Sequence, residues 1–278
     1  MQPDYMKRQG SGNDHPRIYL INVGANSSHQ SRARSPLFLD GGVRPRNFCY
    51  VPFYHTANPA LATKDYTDDC IPFLNPLHRS AIKPFAHVDP DWENLTYGDC
   101  CNEPRARALQ RAASDDILLF WGLLYHNLGE DWDAFTSEHG WYLFGSLRIQ
   151  HVLSADTDVS LLEDRDRERA FKNIHFWGQK KLPTNDRVFV GHRDYSCLFS
   201  KAVDLGAHDD SGLLYKVFTA ANGSRLGRNG RPKWFSSLRS CRVVLELGKP
   251  EHRQRAEMLR DAIMMQANFD LFKDIQSW

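Results

Sequence analysis

The stretch from Asp115 to Val152 constrains the fold most, because it sets two apolar, aromatic-bearing runs on either side of one polar connection. The first run, Ile117–Tyr125, is short, free of proline and opened by the Asp115-Asp116 pair. A helix buried on all sides is usually longer, so this run predicts a strand in the middle of a sheet. The second run starts at Gly140 and alternates loosely through Tyr142, Phe144, Ser146, Arg148 and Gln150, which suits a strand half-exposed to water. Together they predict an antiparallel pair with a long connection, NLGEDWDAFTSEH.

The other elements arrange themselves around that pair. Residues 1–16 are polar and rich in turn formers, as expected of a flexible lead or expression remnant. Arg17–Val23 reads as a strand, SSHQSRARSPLFLDGG as a loop, and Phe48–Phe53 as a short or edge strand because of Pro52. Residues 54–100 are proline-rich with scattered histidines (His55, His78, His87), the pattern of a functional wall or of an irregular cover. Pro104 opens an expected helix that runs to Ala112, with Glu103 near its positive end. Val159–Phe171 reads as helix, Val188–Val190 as strand, and Leu198, Phe199, Ala202 and Leu205 as the apolar face of a short helix. SCRVVLELG predicts a last strand and Glu251–Met265 a last amphipathic helix, with the end FDLFKDIQSW docked or free.

Strands near residues 17, 48, 117, 141, 187 and 242 lack a regular βαβ rhythm. The expectation is α+β: a curved mixed β-sheet or open barrel with several flanking helices, residues 17–278 forming a single globular domain. A formal net charge of +1 gives no global pull toward a polyanion, so any nucleic-acid contact must come from a local basic face. The cysteines at 49, 70, 100, 101, 197 and 241 include no CxxC pair, which argues against a zinc finger, and vicinal Cys100-Cys101 cannot form an ordinary structural bridge. Without a signal peptide or a membrane-length apolar run, a cytoplasmic protein with reduced thiols and no membrane partner is expected. GxxxxGK[ST], spaced dinucleotide-loop glycines, GxSxG and HExxH are absent from the sequence.

Several short strings occur in an order that carries a resemblance. They are INVGAN (Ile21–Asn26), RSPLF-DG (Arg34–Gly41), Tyr50–Phe53, the DP-W-TYGD series from Asp89 to Asp99, an arginine-bearing helix, DDILLFWGLL, GWYLFGSLRI, Asn173–His175 and VFVGHRDYSCLFSKAV. In this the chain resembles the nucleotide modification associated domain 3 family of phage and bacterial DNA-modification and defence neighbourhoods, over residues 17–206, with 207–278 as a C-terminal extension. The resemblance implies an association with base modification and defines no reaction. The chain departs from the family pattern at Tyr50–Phe53, where no acidic residue follows, and in the vicinal cysteines after Asp99. The first departure argues against an acidic catalytic role in that loop. The order of strands and aromatics is also similar to that of PUA-like domains (the ASCH, EVE and YTH group), small open barrels that bind modified bases.

Candidate residues follow from chemistry. Asn22, Asn26 and Asn173 offer donors and an acceptor for a base edge. Tyr97, Trp121, Trp141 and Trp177 are of the type that stacks on a flipped base, although core packing explains each as well. Arg32, Arg34, Arg105, Arg193 and the Arg225–Lys233 loop are phosphate candidates, against the plain alternative of a solvated surface; His192 and Ser196 complete the base- or nucleotide-binding set. His175 with Asp99 and His192 is the candidate for chemistry, since a carboxylate beside a histidine fixes its tautomer; these types also hold metals, though no metal site or cofactor is assigned. Cys100, just before an expected helix start, is the candidate nucleophile. Two functions fit: a reader of a modified or flipped nucleobase, or an enzyme that installs or elaborates one through Asp99, His175 and Cys100. DNA or a nucleotide is the expected partner, alongside other modification-system proteins; the oligomeric state is not legible.

Overall fold

The computed structural model describes residues 15–24, 30–39, 45–52, 64–78, 85–104, 106–176, 181–206, 212–219 and 242–275. Its strands are β1 (Arg17–Asn22), β2 (Ser35–Phe38), β3 (Lys64–Asp65), β4 (Phe85–Ala86), β5 (Thr96–Cys100), β6 (Ile117–Asn127), β7 (Phe135–Leu153), β8 (Asp186–Gly191), β9 (Cys197–Asp204) and β10 (Arg242–Glu246). The α-helices are α1 (Asp164–Phe171) and α2 (Pro250–Ala267).

An eight-stranded mixed sheet runs β10-β1-β6-β7-β8-β5, with β2 also on β6 and β9 also on β7. The α+β class with a curved sheet is therefore the observed one. Strand β6 lies at its centre, as its unbroken apolar run requires. All its residues but His126 are buried, β7 pairs along one edge, and β1 and β2 share the other in parallel. Register shifts between Phe120 and Trp121, and between Tyr125 and Asn127, mark bulges of the kind that bend a sheet. The polar connection is tighter than expected: Asp131 caps a single turn over Trp132–Ala134, and β7 already starts at Phe135. The far end of β7 leaves β6 for β8, which carries β5 on its other edge.

Two large cores lie on opposite faces of β1 and β6. The inner core joins Tyr19, Ile21, Leu118 and Phe120 to Tyr97 and Phe189. The outer core lies where Ile18, Leu20, Ile117 and Leu119 meet α2. Helix α2 starts on Pro250 and ends at a left-handed Asn268, and it buries His252, Ala256, Leu259, Ile263 and Ala267 along one stripe. Leu271 and Phe272 dock behind it. Helix α1 covers β8 through Ala170, Phe176, Val188 and Val190.

Four local expectations are corrected. The apolar positions of 198–205 form strand β9, because β9 runs between the two cores and buries residues on both faces. Ser35–Phe38 is a strand on the edge of β6, whereas Phe48 makes only an isolated bridge to Leu37. The helix expected from Pro104 is a 3-10 segment at Arg107–Arg111. The helix expected over 159–171 splits into a 3-10 turn at Val159–Leu161 and α1. Among the described residues no helix is long and apolar enough to cross a membrane.

Candidate functional site

The site is built from three pieces of chain that β5 and β8 bring together. The first is the hairpin DPDWENLTYG. Asp91 and Thr96 exchange backbone hydrogen bonds, and the Asp91 carboxylate accepts from the N–H groups of Glu93 and Asn94. Closing that turn folds Asp89 back over β5, where its carboxylate accepts the Gly98 N–H at 3.0 and 3.1 Å. The second piece follows α1. Asn173, fully buried, donates to Thr96 Oγ1 at 3.0 Å and approaches Asp89 Oδ1 at 3.5 Å, while its Oδ1 accepts the His175 N–H. The third is Asp186 at the start of β8, which faces Cys100 across the ladder.

His175 sits where the three meet. Its Nδ1 lies 2.7 Å from Asp186 Oδ2, and its Nε2 is 3.6 Å from Asp89 Oδ2. The ring of His87 stands edge-on to it at 6.0 Å, with His87 Nε2 4.0 Å from the same Asp89 oxygen. Side-chain exposures of 15% for His175 and 2% for Asp89 put the imidazole at the opening and the carboxylate behind it. Burial by itself would lower the pKa of His175, but the Asp186 and Asp89 carboxylates outweigh it and raise it to about 10. Burial lifts the Asp89 carboxyl to about 6, against the opposing pull of His175 and the Gly98 N–H. Asp186 is held below the usual carboxylate range, first by its hydrogen bond to His175 and also by the Cys100 thiol. Chemically, an imidazole fixed between two carboxylates can move a proton, and the atoms of His87, Asp89 and His175 that face one another are of metal-ligand type.

Strand alternation separates residues that sequence reasoning had joined. Thr96, Gly98 and Cys100 face this cluster, while Tyr97 and Asp99 point into the inner core. There the Tyr97 hydroxyl donates to Asp99 Oδ2 at 2.7 Å, and the Tyr97 ring packs on Phe120 and Phe189. The carboxylates that meet His175 are therefore Asp89 and Asp186. Asn22 donates to the Trp121 carbonyl, and Trp121 packs on Trp141 at 4.8 Å in the outer core. Arg34 lies over Tyr125, Trp132 and Phe135, with its guanidinium 4.8 Å from the Trp132 ring centre. The Ser196 hydroxyl accepts the Arg148 N–H, tying β7 to the turn before β9, and His192 packs edge-on to Tyr195. Asn26, Arg105, Trp177 and the Arg225–Lys233 loop lie outside the described residues. Sequence reasoning alone assigns no role to His87, Asp89 or Asp186. The one signal for the first two is the His-x-Asp spacing, which puts both side chains on one side of an extended chain.

A separate cavity of about 580 Å³ opens on the other side of the Asp89 segment. Phe48, Tyr50, Tyr66, Val88 and Trp92 line it, and the Tyr50 hydroxyl donates to the Asp89 carbonyl. The hairpin thus forms a partition, with apolar Val88 and Pro90 toward the cavity and Asp89 toward His175.

In comparisons with known proteins, residues 17–262 match the family described as nucleotide modification associated domain 3. No curated protein and no solved structure matches, so the likeness to PUA-like domains rests on sequence order alone.

Proposed function

The chain belongs to the nucleotide modification associated domain 3 family, and from that membership we propose that it is an enzyme acting on a nucleobase or nucleotide, with its reaction centre at Asp89, His175 and Asp186. The observation that carries this reading is the His175 ring set between two carboxylates, 2.7 and 3.6 Å away, at a partly open surface. A pure reader of bases needs a stacking pair and amide donors facing a ligand. Here Tyr97 and Trp121 are core residues, Asn173 is wholly buried and spent on Thr96, Asp89 and His175, and Asn22 is bonded to backbone. Buried ionisable groups gathered at an opening are the commoner mark of a catalytic site. Asp89 and His175 face the substrate, Asp186 and Asn173 position them, and Cys100 acts on Asp186. A base within duplex DNA would have to be flipped out to reach the centre. The setting is bacterial or phage DNA modification or defence, with a cytoplasmic location and partner proteins of the same system.

The test is mass spectrometry of nucleosides recovered from DNA and nucleotide pools incubated with the protein and candidate donors. An altered nucleoside made by the wild type and absent with a folded Asp89→Asn variant supports the reaction. Equal products, or none, from both overturn it.

A second reading, a module that binds a modified base, draws on the cavity of about 580 Å³ and its aromatic lining. Selective quenching of Trp92 fluorescence by a modified nucleoside, without turnover, would favour it.

A further inference from the structure

We propose that His87, Asp89 and His175 hold a first-row divalent transition-metal ion, and that Asp186 orients the His175 ligand from behind. This deepens the reaction-centre reading and rests on it. Each of the three residues offers one ligand atom, and those atoms lie within 4.8 Å of one another.

The separations leave room for an ion among the three side chains. His175 Nε2 and His87 Nε2 stand 3.6 and 4.0 Å from the same Asp89 oxygen. A direct charge-assisted hydrogen bond would draw such a pair to about 2.7–2.9 Å. Ligand atoms roughly 2.1 Å from a shared tetrahedral ion would lie about 3.4 Å apart. Both spacings to Asp89 exceed that value, and with the three ligand atoms within 4.8 Å of one another an inward movement of the side chains completes the geometry.

The donor set selects the class of ion. Two imidazoles with one carboxylate favour zinc, iron(II), manganese or cobalt over calcium and magnesium, which prefer sites made of oxygen. Three protein ligands leave positions for water or substrate, the pattern of catalytic rather than structural sites. When bound, the ion would supply Lewis acidity toward a phosphoryl or carbonyl oxygen.

The surrounding residues match the needs of such a site. The Asp186 contact to His175 Nδ1 is the imidazole–carboxylate pairing that fixes a ligating histidine and leaves its Nε2 for the ion. Asp89 is anchored by the Gly98 N–H and the Asn173 amide, so its position does not depend on the ion. Side-chain exposures of 21% for His87 and 15% for His175 give an ion a way in from solvent.

The experiment uses the full chain, stripped by a chelator and titrated with Co²⁺, whose visible d–d bands report coordination. Zn²⁺, Mn²⁺, anaerobic Fe²⁺, Mg²⁺ and Ca²⁺ are then added as competitors. The expected result is stoichiometric Co²⁺ binding that Zn²⁺ displaces and that His87→Ala and Asp89→Asn each abolish. Asp186→Asn should weaken it about 10–100-fold. His87→Ala is the informative variant if substitution of the more buried Asp89 prevents folding, which circular dichroism will show. A wild-type spectrum no different from that of His87→Ala overturns the proposal, as does displacement of Co²⁺ by Mg²⁺ or Ca²⁺. The readout involves no substrate, so its failure leaves the proposed reaction standing. Metal binding without any nucleoside product would count against the reaction alone.

Discussion

A Cβ atom on residue 98 would lie 2.3 Å from His175 Cδ2 and 2.9 Å from Asn173 Oδ1, so the bare backbone of Gly98 is the surface on which the imidazole rests. Gly98→Ala should therefore push His175 off its position between Asp186 and Asp89. We expect a stability loss of about 1–3 kcal/mol in denaturant unfolding, as for other overpacked sites, together with at least tenfold weaker Co²⁺ binding. Wild-type affinity in this variant would show that the ring has no fixed seat.

Asn173 is wholly buried and links Thr96, Asp89 and the His175 N–H. Asn173→Ala strands those partners and should cost roughly 1–3 kcal/mol. Asn173→Asp should be worse than the alanine variant, because it sets a second carboxylate against Asp89 in a buried place. Thermal unfolding of the two variants side by side checks the order.

Arg169 ties α1 to the hairpin that carries Asp89. It donates to the carbonyls of Asn94, Leu95 and Gly191, and its guanidinium pairs with buried Asp166 at 2.8 Å. Arg169→Met leaves the Asp166 carboxylate with only Gln150 and His151 among the described residues and strands three backbone carbonyls, a loss of about 3–5 kcal/mol by analogy with other broken buried pairs. Chemical denaturation measures it, and a loss under about 1 kcal/mol, the scale of a surface pair, would mean the link is ornamental.

These sites also show what was legible in the sequence. The apolar run Ile117–Tyr125 identifies the central strand by its shortness and continuity, since a helix buried on all sides is usually longer. Strand β9 resembles a helix in the sequence because burial on both faces spaces its apolar residues irregularly, in imitation of a helical pattern. The TYGD and NIH strings, near residues 97 and 174, meet where Asn173 donates to Thr96 and the His175 ring rests on Gly98. Strand alternation then turned Asp99 inward, and only the hairpin closure at Asp91–Thr96 could reveal that Asp89 takes the place beside His175. Asp186 arrives through the register of β5 against β8, which local sequence does not encode.

Burial pushes the Cys101 thiol up to about 12 and the Cys197 thiol to about 11. Both groups stay in the unreactive thiol form at pH 8, since the thiolate is the nucleophile. Timed alkylation with peptide mapping should find these two among the last cysteines modified in the native protein, with rates that climb as pH rises toward their pKa values. Rapid labelling of Cys101 at pH 8 would contradict the packing described for the inner core.

Whether this cluster performs chemistry on nucleotides is measured most directly by comparing nucleosides from cells expressing the wild type with those from cells expressing His175→Asn at equal, folded abundance. We predict a nucleoside of altered mass in the first sample and its absence from the second. The same altered nucleoside in both, or in neither, would contradict a reaction centre at His175.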